Sequence, residues 1–128
     1  MARARRYWTA AMAVLLATPA AAQFRWIELG GRDLTGRSEQ ALIPVRVGDL
    51  YSRIRLCVDR AQVRFDDVAV RFRRGGAQQL PVRAMVGRGA CTESLDLDGG
   101  RREIESVIVS YQAVSIGRSR ARVRLIAS

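Results

Sequence analysis

Histidine and lysine are both absent from the 128-residue chain, and the two absences close off a good deal of chemistry. Ser-His-Asp triads, Cys-His pairs, Ser-Lys dyads, Schiff-base lysines and histidine zinc sites each need a residue that the chain does not contain. Aromatic residues make up 6% of the sequence and are not interleaved with its arginines, so there is no stacking platform for single-stranded nucleic acid, and nucleic acid is not an expected partner. Only two cysteines occur, Cys57 and Cys91, and they are too far apart for the closely spaced pair of a redox motif. No window carries an apolar stripe at helical spacing, and no motif calls for a cofactor.

What is abundant is arginine, which supplies all 22 basic residues against 12 acidic ones. Arg3, Arg5 and Arg6 precede the apolar run Tyr7 to Ala17, and Ala20-Ala21-Ala22 supplies the small residues that a signal peptidase needs. We read residues 1–22 as a cleaved signal peptide. The apolar run is short of the roughly 20 residues needed to cross a bilayer, so no transmembrane segment is expected in the mature chain. Residues 23–128, 106 in number (128 minus 22), are enough for one β-sandwich domain with a net charge of +7 (19 minus 12). Such a chain is expected in the periplasm or secreted, where an even, minimal cysteine count is usually oxidised, and Cys57 is expected to be joined to Cys91.

Within the mature chain the apolar period is two. Ile54, Leu56 and Val58 alternate with Arg53, Arg55 and Cys57, and Val68, Val70 and Phe72 alternate with Ala69, Arg71 and Arg73. The two runs flank Asp59 to Gln62 and read as a hairpin-like unit. A first strand is expected to end at Gly30-Gly31, and a second, Ala41 to Val47, is marked as an edge by Pro44. A short strand from Gln62 to Phe65 is separated by Asp66-Asp67 from the run starting at Val68. Turns are expected at Gly75-Gly76, Asp98-Gly99-Gly100 and Gly117. From Ile104 to Tyr111 the parity slips between Ile104 and Val107, which a β-bulge near Glu105-Ser106 would repair. Ala121, Val123, Leu125 and Ala127 take the inward parity of the last strand. The sum is an all-β antiparallel sandwich of about eight short strands.

Trp26-Ile27-Glu28-Leu29-Gly30, Tyr51-Ser52-Arg53-Ile54-Arg55-Leu56, Val68 to Arg74 with its glycine pair, Leu97 to Ile104 and Val109-Ser110-Tyr111 together resemble a group of small exported bacterial β-sandwich proteins, domain of unknown function 2541. The likeness spans nearly all the mature chain, and its motifs are structural. It implies the sandwich fold and transfers no catalytic residue. Cys57, where arginine would continue the alternation, departs from that pattern.

Three functional readings follow. Arg53, Arg55, Arg71, Arg73, Arg120, Arg122 and Arg124 share outward parity and would form an anion-binding face if their strands adjoin. An envelope-associated module would use such a face on an anionic envelope polymer or an acidic protein, because the guanidinium fork matches phosphate and carboxylate. A purely structural envelope protein would instead neutralise it with Glu103, Glu105 and Asp59. A small hydrolase would need two positioned carboxylates from Asp66, Asp67, Asp96, Asp98, Glu103 and Glu105, but no motif places them and no catalytic residue is assigned. Asp96-Leu97-Asp98-Gly99 begins like a calcium loop but Val107 stands where its closing acid belongs, so a plain turn and no metal site are expected. Trp26 and Tyr111 could form a ligand platform, but strand-end aromatics commonly pack in a core or rim.

Overall fold

The longer strands of this domain turn alternate residues inward, and the computed structural model, which describes residues 25–34, 38–46, 48–113 and 120–128, stacks those inward residues into one core. The expected signal peptide and the turn at Gly117 lie outside the described residues. Nine strands follow in order: β1 (Ile27–Asp33), β2 (Ser38–Pro44), β3 (Leu50–Tyr51), β4 (Arg53–Asp59), β5 (Val63–Phe72), β6 (Ala77–Val86), β7 (Leu95–Asp96), β8 (Arg102–Ala113) and β9 (Arg122–Ala127). There is no helix among the described residues. One sheet has the order β1-β9-β4-β7 and the other β2-β8-β5-β6, with β3 paired to β8, and every pairing is antiparallel.

The expected hairpin around Asp59 to Gln62 is not formed. β4 pairs with β9 and β7, whereas β5 pairs with β8 and β6, so the connection crosses between sheets. Arg60 takes φ 74°, the Ala61 amide donates to the Asp59 carbonyl at 2.9 Å, and Ala61 is buried. This tight corner turns the chain through the core's edge. Alternation cannot distinguish the two arrangements, because each strand buries the same apolar residues whichever strand it pairs with.

The inward sets are as read. Ile54, Leu56 and Val58, Val68, Val70 and Phe72, and Ala121, Val123, Leu125 and Ala127 are all buried. Pro44 lies in β2 at the edge of its sheet, and β8 carries the expected bulge: Arg71 faces Ser106 while Phe72 faces Ile104, skipping Glu105. The same device joins two segments read as separate strands. β5 runs unbroken through Asp66-Asp67, with Phe65 opposite Tyr111 and Val68 opposite Val109, so the extra residue switches the buried parity from Val63 and Phe65 to Val68 and Val70.

β1 also differs from expectation, since it continues through Gly30-Gly31 to Asp33. The glycines are there for close approach. A Cβ on Gly30 would lie 3.1 Å from Ile43 Cγ2 and 3.2 Å from the Pro44 carbonyl oxygen, across the gap where β1 meets β2 of the facing sheet. Gly30→Ala is therefore expected to destabilise the domain by about 1 to 3 kcal/mol through overpacking, read as a lower denaturant midpoint at unchanged slope. An unchanged midpoint would show that the two sheets separate freely at this point.

Candidate arginine surfaces

Strand membership divides the seven arginines. Arg53 and Arg55 leave β4, Arg122 and Arg124 leave the adjoining β9, and Arg120 is exposed just ahead of β9. Arg71 belongs to β5 in the other sheet and Arg73 follows it. The expected patch is thus divided: four residues lie on the β4–β9 face, Arg120 stands just ahead of it, and Arg71 and Arg73 belong to the other sheet.

Carboxylates stand beside most of these guanidiniums. Arg124 Nε donates to Asp59 Oδ2 at 2.7 Å and its Nη1 lies 3.6 Å from Glu28 Oε1. Hydrogen bonding to Asp59 raises the pKa of Arg124 further, and partial burial opposes it less strongly. Asp33 lies 3.2 Å from Arg122 and 3.7 Å from Arg60, and Asp96 lies 3.4 Å from Arg53. On the other sheet Arg71 is 3.9 Å from Glu105, and Arg73 Nε is 3.1 Å from Glu103. Exposed pairs of this kind contribute about 0 to 1 kcal/mol each, so they set local charge more than stability. Arg55 and Arg120 have no carboxylate partner among the described residues; the Arg55 guanidinium instead lies 4.9 Å from the centre of the Trp26 ring.

Other candidates resolve simply. Asp66 lies 3.8 Å from Arg64, so Asp66, Asp96, Glu103 and Glu105 each face an arginine. Asp96-Leu97-Asp98-Gly99 forms a turn with Leu97 buried and Gly99 and Gly100 at φ 83° and 78°. The aromatic platform does not form, since Tyr111 is 2% exposed in the core while Trp26 lies by Arg55 on the outer side of the opposite sheet. The Tyr51 hydroxyl is buried without a hydrogen-bond partner, and burial, aided by Asp49, raises its pKa, so the phenol stays protonated.

Cys57 and Cys91 are joined, 3.9 Å apart at their Cα atoms. Flanking bonds from the Val58 amide to the Ala90 carbonyl (2.9 Å) and from the Thr92 amide to the Leu56 carbonyl (2.8 Å) make this a non-hydrogen-bonded pair, where opposed backbones run closest. The buried Thr92 hydroxyl accepts from the Leu56 amide at 3.1 Å, and the Gly89 amide donates to the Val58 carbonyl at 2.7 Å. The segment after β6 is thereby fastened to β4.

A second group of arginines was not legible from strand parity, because its members sit in turns. Arg73-Arg74-Gly75-Gly76 links β5 to β6, and Gly99-Gly100-Arg101-Arg102 leads from β7 into β8. The mirrored spelling of the two turns was the available signal. Arg102 ties them together, donating to the Gly75 carbonyl at 3.0 Å and the Asp98 carbonyl at 3.3 Å, with its guanidinium 3.9 Å from the centre of the Phe72 ring. Gln78 adds a second tie by accepting from the Asp98 amide at 2.7 Å and donating to the Asp96 carbonyl at 3.3 Å. A cleft of about 400 Å³ opens between the turns and β3, lined by Gly48, Leu50, Arg74, Arg101, Arg102 and Glu103.

No helix among the described residues is long and apolar enough to cross a membrane. No curated protein and no solved structure matches the chain. A family model described as Domain of unknown function (DUF2541) does match, over residues 9–127, which takes in every strand of both sheets, and the chain belongs to that family.

Proposed function

We propose that the domain is a non-catalytic, envelope-associated binding module that holds an anionic partner, an acidic polymer or acidic protein, against the outer face of the β1-β9-β4-β7 sheet. One observation carries the reading: Arg53, Arg55, Arg60, Arg122 and Arg124 gather there, with Arg120 exposed just ahead of β9, and among the described residues they meet Glu28, Asp33, Asp59 and Asp96 while Arg55 and Arg120 face no carboxylate. Fixed positive charge in excess attracts a polyanion, and guanidiniums supply paired donors to its oxygens. The Cys57–Cys91 bridge supports an oxidising compartment, reached by way of the signal peptide proposed for residues 1–22. The ion pairs favour a second reading, a structural envelope module whose faces are simply solvated.

Poly-L-glutamate separates the two. Binding by the module is expected to weaken steeply as salt shortens the screening length from about 30 Å at 0.01 M to about 8 Å at 0.15 M. Arg55, Arg120 and Arg122 changed together to Gln should abolish it, while Arg71→Gln, on the other sheet, should leave it intact. If the triple variant binds like the parent, or the parent does not bind at low salt, the structural reading stands instead.

A further inference from the structure

We propose that the cleft between the two arginine-glycine turns is a phosphate-ester site, distinct from the sheet face and independent of it. Its lining divides by what each guanidinium already does. Arg102 is committed to the Gly75 and Asp98 carbonyls and to the Phe72 ring, so it forms the wall that holds both turns in place. Glu103 is matched by Arg73, which also donates to the Val45 carbonyl at 3.1 Å, so the acid that lines the cleft is already neutralised. Arg101 spends one N–H on the Leu50 carbonyl at 3.1 Å and makes no other side-chain hydrogen bond among the described residues. Arg74 is exposed and has no hydrogen bond or ion pair among the described residues. Neither Arg74 nor Arg101 faces a carboxylate among the described residues, in contrast to Arg71, Arg73, Arg122 and Arg124.

The geometry selects the ligand. Arg74 comes from the β5–β6 turn and Arg101 from the turn just ahead of β8, so one cleft is lined by arginines from two different elements. A phosphoryl group carries more charge than a carboxylate and presents its oxygens in several directions, so it engages donors from two separate forks more fully than two coplanar carboxylate oxygens do. Leu50, at 48% exposure, gives the cleft an apolar margin suited to the carbon portion of an ester. Gly48 borders Glu103 closely, since a Cβ there would lie 3.2 Å from Glu103 Oε1; a side chain at this position would crowd the carboxylate that lines the cleft. The ligand class is therefore a phosphate monoester or diester, bound by Arg74 and Arg101 and walled by Arg102.

The test uses glycerol 3-phosphate as probe, with acetate at matched ionic strength as the carboxylate control, and reads the arginine Nε–H resonances of the protein by NMR. Saturable shifts at Arg74 and Arg101 are expected with glycerol 3-phosphate and not with acetate. Arg74→Gln and Arg101→Gln together should weaken binding by about tenfold or more, since each removes charge-assisted hydrogen bonds. Arg55→Gln, on the sheet face, should leave it unchanged. Arg74 makes no contact that the fold needs, so the single Arg74→Gln variant keeps the test valid should the double variant fold poorly. Co-sedimentation with phosphatidic acid vesicles, reversed by glycerol 3-phosphate, assigns the ester to a lipid headgroup; binding in solution without co-sedimentation assigns it to a soluble ester. Absence of saturable shifts, equal response to acetate, or undiminished binding by Arg74→Gln overturns the proposal.

Discussion

Breaking the Cys57–Cys91 bridge is expected to lower the unfolding free energy by up to about 4 kcal/mol, the loop-closure value for an interval of 34 residues. The cleanest variant is Cys57→Ala with Cys91→Ser. Cys57 is 2% exposed, so a serine hydroxyl there would add the cost of burying an unpartnered polar group, whereas Cys91 is exposed and tolerates one. The interval closed by the bridge contains the corner at Arg60, both strands of the β5–β6 hairpin and the return from one sheet to the other. Its constraint therefore falls on an unfolded chain that must otherwise bring distant segments together unaided. Guanidinium unfolding of the variant and parent measures the loss. Amide exchange should quicken first at Gly89 and Thr92, whose amides donate to β4 outside any long ladder, and only later within β4 and β9. Equal midpoints, or two titratable thiols in unreduced denatured protein, would contradict the expectation.

The inward faces were legible because period-two alternation is a direct consequence of strand geometry, and every residue assigned inward on β9 is buried. The bulge in β8 was legible for the same reason, as a slip of parity between Ile104 and Val107. An equal slip between Phe65 and Val68 looks like a break in the sequence, because Asp66-Asp67 has the composition of a turn. The outcome is decided by neighbours: β6 and β8 flank β5 on both sides and carry the ladder past the aspartates. Which strands adjoin is not contained in alternation at all, and so the arginines of β5 were grouped with those of β4 and β9. The cleft was hidden for a further reason. Arg74, Arg101 and Arg102 lie at turns, where side-chain direction follows from the fold of two separate hairpin ends and not from any local period.

Phe65→Ala is expected to cost about 3 to 5 kcal/mol, because the space vacated at this position cannot close. Phe65 is fully buried in β5, opposite Tyr111 of β8 on one side and Ala84 of β6 on the other. Both neighbouring ladders shift register next to it, between Phe65 and Asp67 toward β6 and between Phe65 and Val68 toward β8. The backbone there is fixed by hydrogen bonds on both edges, so relaxation must come from side chains alone, and the facing core is already filled by residues such as Ile54 and Leu56 with no measurable exposure. Met85→Ala is the matched control on β6: at 50% exposure it removes a side chain that mostly faces solvent, and a change within about 0.5 kcal/mol is expected. Chemical denaturation of the two variants beside the parent gives both values from midpoints at constant slope. A loss below about 1 kcal/mol for Phe65→Ala, no greater than that for an ordinary exchange, would mean that β5 collapses into the vacancy and that the bulge beside Phe65 is a hinge and not a clamp.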